Sequence, residues 1–447
     1  MRVFLTAVLV CTLIIHSVGQ SDSLTERLGL LAKSYEEVYG FSGNIKVVVG
    51  EELVFEGTYG LANRSFGVEN KPNTRFSINS ISKTFTATAV LILVRDKKLD
   101  LHLPISRYLP DLRAEWKDSV TVHHLLTHTS GLPREFGIQP HEELTFTEQV
   151  RLIESIDLMF ARGERYEYSN AGVTLLGAIL EQVSGESYPD FIEREILVPL
   201  GLTNTGYYRG RQVVSNQAVP YRLSANGLEY AQRSKHYGDN AGGGLYSTVS
   251  DLYKYVTGLE QNKILPREYT DLLFQSHVQS GKTDFEGYAW SIKYFGNEKI
   301  HFAAGSGYGT KSVLIRSPES GDFIGITSNW GNTPILQLLQ DLYLTMKGQG
   351  VSLPSQDALA KPASYAGQMG TYRFDQEALT KHLGIDRSQL KLQEFEGRLF
   401  LDDELLAQEE EEYLRLTYTN ELQIRFDGGQ MIIQINGNTV IGERVGQ

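Results

Sequence analysis

The feature that most restricts what this chain can fold into is the stretch 80–94, where a serine and a lysine three residues apart lead into a run of apolar and small residues. Phe85, Ala87, Ala89, Val90, Leu91, Ile92 and Leu93 leave no polar face, so the segment reads as a helix buried on all sides. It stops at the charged Arg95-Asp96-Lys97-Lys98. If Ser80 opens the helix, Lys83 lies one turn on along the same face, and its amine reaches the serine hydroxyl. A serine is a poor nucleophile until a neighbour takes its proton. An amine can take it when desolvation favours the uncharged form. The positive end of the helix dipole would also favour negative charge developing at Ser80. S-x-x-K alone is a weak signal, and a capping serine with a surface lysine is the plain alternative. The apolar helix that follows argues for a buried pair.

Around this helix, helical and strand patterns alternate. Leu24, Leu28, Leu31, Tyr35 and Val38 form one apolar stripe and predict a helix over 24–39. Residues 44–49 and 53–59 predict a hairpin across Gly50-Glu51-Glu52. Segments 122–127, 168–183 and 245–259 read as helical, the last with Ser250-Asp251 able to cap it. Segments 288–294, 300–304, 311–316 and 323–328 read as consecutive strands before a helix at 335–346. Strands at both ends with helices between them imply one antiparallel sheet flanked by helices, closed by the early hairpin pairing with the late strands. After Met346 the composition shifts: 347–362 is a polar linker punctuated by Gly and Pro. Beyond it, short strand-like runs at 372–374, 390–395, 398–401, 413–416, 422–426 and 431–435 predict a small antiparallel β domain over 363–447. The acidic run 409–412 reads as a solvated turn.

The second chemical feature is Tyr168-Ser169-Asn170, in a polar stretch just before a helix. A phenol near an ammonium can relay a proton from the serine to a leaving group. An adjacent amide can orient the lysine and an acyl chain. Taken alone, the tripeptide also fits a simple helix start.

Together these residues resemble the serine β-lactamase and penicillin-binding superfamily, in its class-C-like branch. Residues 76–87, containing Ser80-Ile81-Ser82-Lys83, look like its first motif. Residues 121–133 (TVHHLLTHTSGLP) are similar to a signature stretch that follows, 168–172 (YSNAG) to the second motif, and 243–251 to a further block. The resemblance runs from about Phe41 to Met346. It implies an α/β sandwich with an all-helical lobe, acylation of Ser80, base and acid roles shared by Lys83 and Tyr168, and a substrate-positioning role for Asn170. The C-terminal part resembles, more weakly, the small β-barrel-like domains appended to members of this branch.

The third motif departs from the family pattern. Where the family places a cation and a hydrogen-bond donor before a glycine, this chain has Ala303-Ala304-Gly305, then Ser306. Ala303 offers neither. The backbone N–H groups of Ser80 and Ser306 can still form an oxyanion hole, because that contribution needs no side chain. Acylation chemistry therefore survives, while handling of a β-lactam or peptide carboxylate is put in doubt. His301 lies two residues before Ala303, on the same strand face, where it is a candidate auxiliary cation, a partly exposed structural histidine being the plainer alternative.

Other chemistries are disfavoured. His124 and His128 stand four apart, but without HExxH or a cysteine partner they do not read as a metal site, and no cofactor is expected. There is no G-x-S-x-G elbow, and the Gly-rich stretches lack a phosphate- or dinucleotide-binding context. A net charge of −12 argues against general nucleic-acid binding. Arg2, the apolar run 3–15 and the small residues after it predict a secretory signal over 1–20, hence a secreted or periplasmic protein without stable membrane insertion. Cys11, the only cysteine, falls in that segment, so no disulfide framework is available. The expectation is a serine hydrolase over 21–346 acting through acyl-Ser80. A small ester, lactone or D-amino-acid-type amide is favoured over a β-lactam as its small-molecule or peptide substrate. The alternative is a binding or sensor protein that kept the fold and lost turnover.

Overall fold

A computed structural model describes residues 23–138, 143–209, 212–231, 240–355, 359–383, 385–410, 412–417, 422–435 and 437–446. The expected export signal lies outside these residues. Helix α1 (Leu24–Tyr39) leads into the hairpin β1 (Gly43–Val49) and β2 (Glu52–Tyr59). Helices α2 (Ser82–Arg95), α3 (Asn170–Ser184) and α4 (Val249–Glu260) belong to the intervening helical lobe. The late strands are β3 (Val278–Gln279), β4 (Phe285–Glu286), β5 (Ser291–Phe295), β6 (Glu298–Gly307), β7 (Thr310–Arg316) and β8 (Phe323–Ser328), followed by helix α5 (Ile335–Met346). The sheet order is β3-β4-β5-β6-β7-β8-β1-β2. As expected, the early hairpin closes the sheet, β1 pairing antiparallel with β8 from Gly43↔Ser328 to Val48↔Phe323.

Two-residue alternation assigns the faces. Val313 and Ile315 of β7, Ile324 and Ile326 of β8, and Ile45 and Val47 of β1 pack beneath α1 and α5. Leu314 and Phe323 face the opposite way, into the core of the helical lobe. At its centre lies α2, buried at every position from Ser82 to Leu93. Its threonines are tolerated there because their hydroxyls are paired: Thr86 Oγ1 donates to the Ala241 carbonyl at 2.6 Å, and Thr88 Oγ1 lies 2.8 Å from the Tyr255 hydroxyl.

Two elements differ from expectation. The buried helix opens with a 3-10 turn at Asn79–Ile81 and becomes α-helical at Ser82. Segment 245–259 is not one helix. Leu245–Ser247 is a short strand pairing with Phe76–Ser77 and Gly206–Tyr207, and Thr248, not Ser250, caps α4 by accepting from the Asp251 N–H at 3.2 Å.

The 3-10 turn joins lobe and sheet. Asn79 takes a left-handed φ of +46°, which asparagine tolerates better than most residues. It is held by Ser77, whose hydroxyl donates to its Oδ1 at 3.2 Å, and by its own Nδ2 donating to Thr310 Oγ1 at 3.0 Å. Ser312 Oγ donates to the Ile78 carbonyl at 2.8 Å. A Cβ on Gly305 would lie 2.1 Å from that carbonyl oxygen, and one on Gly307 would lie 2.5 Å from Asn79 Oδ1. Only bare backbone fits at these two positions.

The C-terminal part closes into an eight-stranded barrel between Gly370 and Gly446. Two of its strands, Glu404–Glu410 and Asn438–Gly446, were not expected, nor was the helix Gln376–Leu383. The acidic run therefore begins as strand, not as a free turn. The barrel packs on the larger domain by side chains. Arg415, buried, donates from Nη2 to Gln337 Oε1 on α5 at 2.6 Å.

His301 is a correction to the sequence reading. It shares a face with Ala303 but is only 4% exposed and stacks flat on Phe274 at 4.0 Å, with neither ring nitrogen hydrogen-bonded. Burial, helped by the charges of Lys299 and Arg316, pushes its pKa from 6.5 down to about 3. It is a neutral core residue away from the cleft described below.

Two outcomes follow from this packing. Gly305→Ala should cost about 2 kcal/mol or more, because the neighbour it meets is backbone; urea unfolding measures this. For His301, the unfolded chain binds the extra proton between about pH 3 and 6.5, so its stabilisation is complete above 6.5 and is lost as pH falls. His301→Leu should accordingly flatten the acid limb of stability between about pH 6 and 4. A limb as steep as that of the unaltered protein would contradict a buried neutral imidazole.

Candidate active site

Ser80 and Lys83 come from the 3-10 turn and the first turn of α2, one helical turn apart. The Lys83 Nζ donates to Ser80 Oγ at 3.1 Å and to the Gly242 carbonyl at 2.9 Å. Lys83 is only 4% exposed, so these two oxygens replace most of its water. The glycine stretch makes this approach possible: a Cβ on Gly242 would sit 3.1 Å from Nζ. The Gly242 N–H donates to Asn240 Oδ1 at 2.8 Å, which fixes the loop from behind.

Tyr168 arrives from the segment preceding α3, and its hydroxyl donates to Ser80 Oγ at 3.0 Å. Two donors from separate segments of the chain thus converge on the oxygen of Ser80. Ser169 caps α3, accepting from the Gly172 N–H at 3.0 Å and donating to the Pro133 carbonyl at 2.8 Å. His128 supports the tyrosine: its ring packs 4.7 Å from the Tyr168 ring, and its Nδ1 accepts from the Ser169 N–H at 3.1 Å. Burial, together with the positive charges of Lys83 and Arg134, pushes the His128 pKa down to about 3. It is therefore a neutral imidazole with its proton on Nε2. His124 has a different task, its Nδ1 accepting from the Thr121 N–H at 3.2 Å in a helix cap.

Lys83 Nζ and the Arg134 guanidinium each stand 5.0 Å from the centre of the Tyr168 ring. Asn170 donates from Nδ2 to Glu135 Oε1 at 2.8 Å. Ser80, Lys83, Glu135, Asn170, Gly242 and Ser306 line one cleft of about 370 Å³. Glu135, Gly242 and His128 were not singled out as site residues from the sequence. For Glu135 the available signal was a charge two residues after Pro133, in the stretch that precedes Tyr168.

Among the described residues, Ser306 is the one cleft residue supplied by the sheet. The ladder between β5 and β6 ends at Ser291↔Phe302, so among the described residues 303–307 have no strand partner on that side. Ala303 is 6% exposed and packs into the lobe core beside Leu314. Ala304 packs partly buried against the core on the opposite face, and Gly305 meets the 3-10 turn. The strand therefore brings backbone, and no cation of its own, to the nucleophile.

The Beta-lactamase family model matches residues 36–340. A putative penicillin-binding protein, PbpX of Bacillus subtilis, is 29% identical over 244 residues, covering 54% of this chain and 60% of the relative. The first curated relatives are matched over only 60–66% of their own length. Among solved structures, a penicillin-binding protein from Bacillus halodurans superposes with a TM-score of 0.62 at 28% identity, covering 71% of this chain and 97% of that one. The D-amino acid amidase of Ochrobactrum anthropi gives 0.64 at 23% identity, over 73% and 99%. With the fold, the motif order and this match in agreement, the chain belongs to the Beta-lactamase family, within the serine β-lactamase and penicillin-binding superfamily.

Proposed function

We propose that the protein is a serine hydrolase that cleaves a small ester or a D-amino-acid-type amide through an acyl-Ser80 intermediate. The observation that carries this is the convergence of Lys83 Nζ and the Tyr168 hydroxyl on Ser80 Oγ, at 3.1 and 3.0 Å. Either group, once deprotonated, can take the serine proton as Oγ attacks the acyl carbon. The pair can then return a proton to the leaving oxygen or nitrogen. Positive charge over the tyrosine ring favours negative charge passing through its oxygen during this transfer. The backbone N–H groups of Ser80 and Ser306 serve as the oxyanion donors, and Asn170 orients the acyl chain. Water then attacks the acyl-enzyme by the same route in reverse.

Charge in the cleft supports the choice of substrate. With Ala303 in the third motif, that position itself offers no cation to a carboxylate on the leaving side. The Glu135 carboxylate, held by Asn170, offers an anion to a free α-ammonium on the acyl side. This suits an amino-acid ester or amide better than a β-lactam, and a solved neighbour of the same fold is described as a D-amino acid amidase. The leader-like segment 1–20 favours export to the periplasm or the medium.

A fluorophosphonate probe read by intact mass should add one label to the protein and none to Ser80→Ala. Equal labelling of both would refute the nucleophile, while saturable ligand binding with no label and no turnover would favour the binding-protein reading. Lys83→Ala and Tyr168→Phe should each lower kcat by about a hundredfold or more. Glu135→Gln should raise KM about fivefold for D-alanine p-nitroanilide and leave its N-acetyl analogue unaffected, since an exposed ion pair contributes about 1 kcal/mol or less.

A further inference from the structure

The barrel touches the catalytic domain close to the strand end that carries Ser306. Phe400 and Leu405 pair with each other across the turn 401–404, and both are buried against Tyr221, Leu223 and Trp330 of the larger domain. This brings Asp403 and Glu404 of the turn toward the β6–β7 hairpin, where both act on Tyr308, while Asp402 is tied within the barrel to Arg387 at 2.6 Å and to the Lys391 N–H at 2.8 Å. Arg222 is held between Asp403, with Nη2 to Oδ2 at 3.2 Å, and Glu229, with Nε to Oε2 at 3.5 Å. The same guanidinium lies 4.5 Å over the ring of Tyr308, in the hairpin turn itself.

Lys311 completes the connection. It pairs directly with Ser306 across the β6–β7 ladder, and its Nζ donates to Ser306 Oγ at 2.7 Å. By alternation, Gly305 and Gly307 present their faces to the Ile78–Asn79 turn, so the Ser306 side chain points the opposite way. Ser306 thus meets the cleft with its backbone and Lys311 with its hydroxyl. Burial draws the Lys311 pKa down, the Glu404 charge draws it up, and Lys311 acts in turn on half-buried Glu404.

We propose that the C-terminal barrel is a positioning element of the active site, its acidic turn holding Arg222 against the hairpin turn at Tyr308 while Lys311 fixes the Ser306 backbone opposite Ser80. The proposal rests on the hydrolase reading above, because Ser306 matters to rate only as an oxyanion donor. Lys311 is then a positioning residue that never touches substrate. A small shift of such a donor costs stabilisation realised in the transition state, so it lowers kcat with little change in KM.

The test uses the full-length protein with p-nitrophenyl acetate, a neutral ester that makes no use of charge in the cleft. Lys311→Met should lower kcat about tenfold, less than outright loss of a donor, with KM within about twofold. Lys311→Arg should recover most of the rate. Lys311→Glu should be impaired, and adding Glu404→Lys should restore part of the loss, which simple destabilisation would not do. Hydrogen–deuterium exchange of residues 302–312 reads the coupling without any substrate: it should quicken in Lys311→Met and in Glu404→Gln, the latter altering only the barrel. Unchanged exchange, or quicker exchange with an unaltered kcat, would overturn the proposal. An unaltered protein that takes no label at Ser80 would overturn it by another route, through the hydrolase reading itself.

Discussion

The site depends on how closely the turn before α2 approaches strand β6. Ser80 belongs to the helical lobe and Ser306 to the sheet, and the two line one cleft only because the Ile78 carbonyl and the Asn79 amide reach into space left by Gly305 and Gly307. The left-handed Asn79 costs on the order of 1 kcal/mol, which its hydrogen bonds with Ser77 and Thr310 offset. The same turn starts the buried helix that carries Lys83. A single backbone feature therefore sets the nucleophile, its amine neighbour and the facing strand.

Burial of Lys83 has a consequence for the loop opposite. An amine removed from water must find oxygen, and here it finds one in Ser80 and one in the Gly242 carbonyl. A side chain on residue 242 would crowd that contact, so the glycine stretch is as much part of the site as the lysine. Tyr168 is held in a similar way by residues that do no chemistry: Ser169 ties the start of α3 to Pro133, and neutral His128 fills the space behind the ring. Placing a charged imidazole there would oppose both Lys83 and Arg134, which is why burial of the neutral form fits.

Much of this was legible from residues alone, and the limits were physical. The convergence of Ser80, Lys83 and Tyr168 was readable because motif order carries over whatever the loop lengths between. The sheet was readable because Val313, Leu314 and Ile315 alternate cleanly between two apolar environments. For His301 the depth was not readable, because strand alternation gives a face only: it does share the face of Ala303, but it is a buried core residue covered by Phe274, not a partly exposed one. Glu135 went unnoticed because it matters only through Asn170, a contact between residues thirty-five apart. In the barrel, Glu404–Glu410 was obscured by its acidic end, because a run of glutamates carries no apolar alternation to mark it as strand.

The barrel presents a different constraint. A sheet closed on itself has few free edges, and among the described residues, apart from a single bridge between Ala407 and Leu359, the barrel meets the larger domain through turns and side chains. The apolar part of that attachment is small, built around Phe400 and Leu405 with Tyr221, Leu223 and Trp330. Around it lie ionic and polar contacts: Arg222 with Asp403, and buried Arg415 with Gln337. Contacts of this kind contribute little net affinity, because desolvation offsets most of the attraction, but they discriminate sharply among orientations. Such an attachment fixes an orientation. It is well suited to holding a hairpin whose far strand carries a backbone donor in the cleft, and Lys311 is the side chain through which that orientation reaches Ser306.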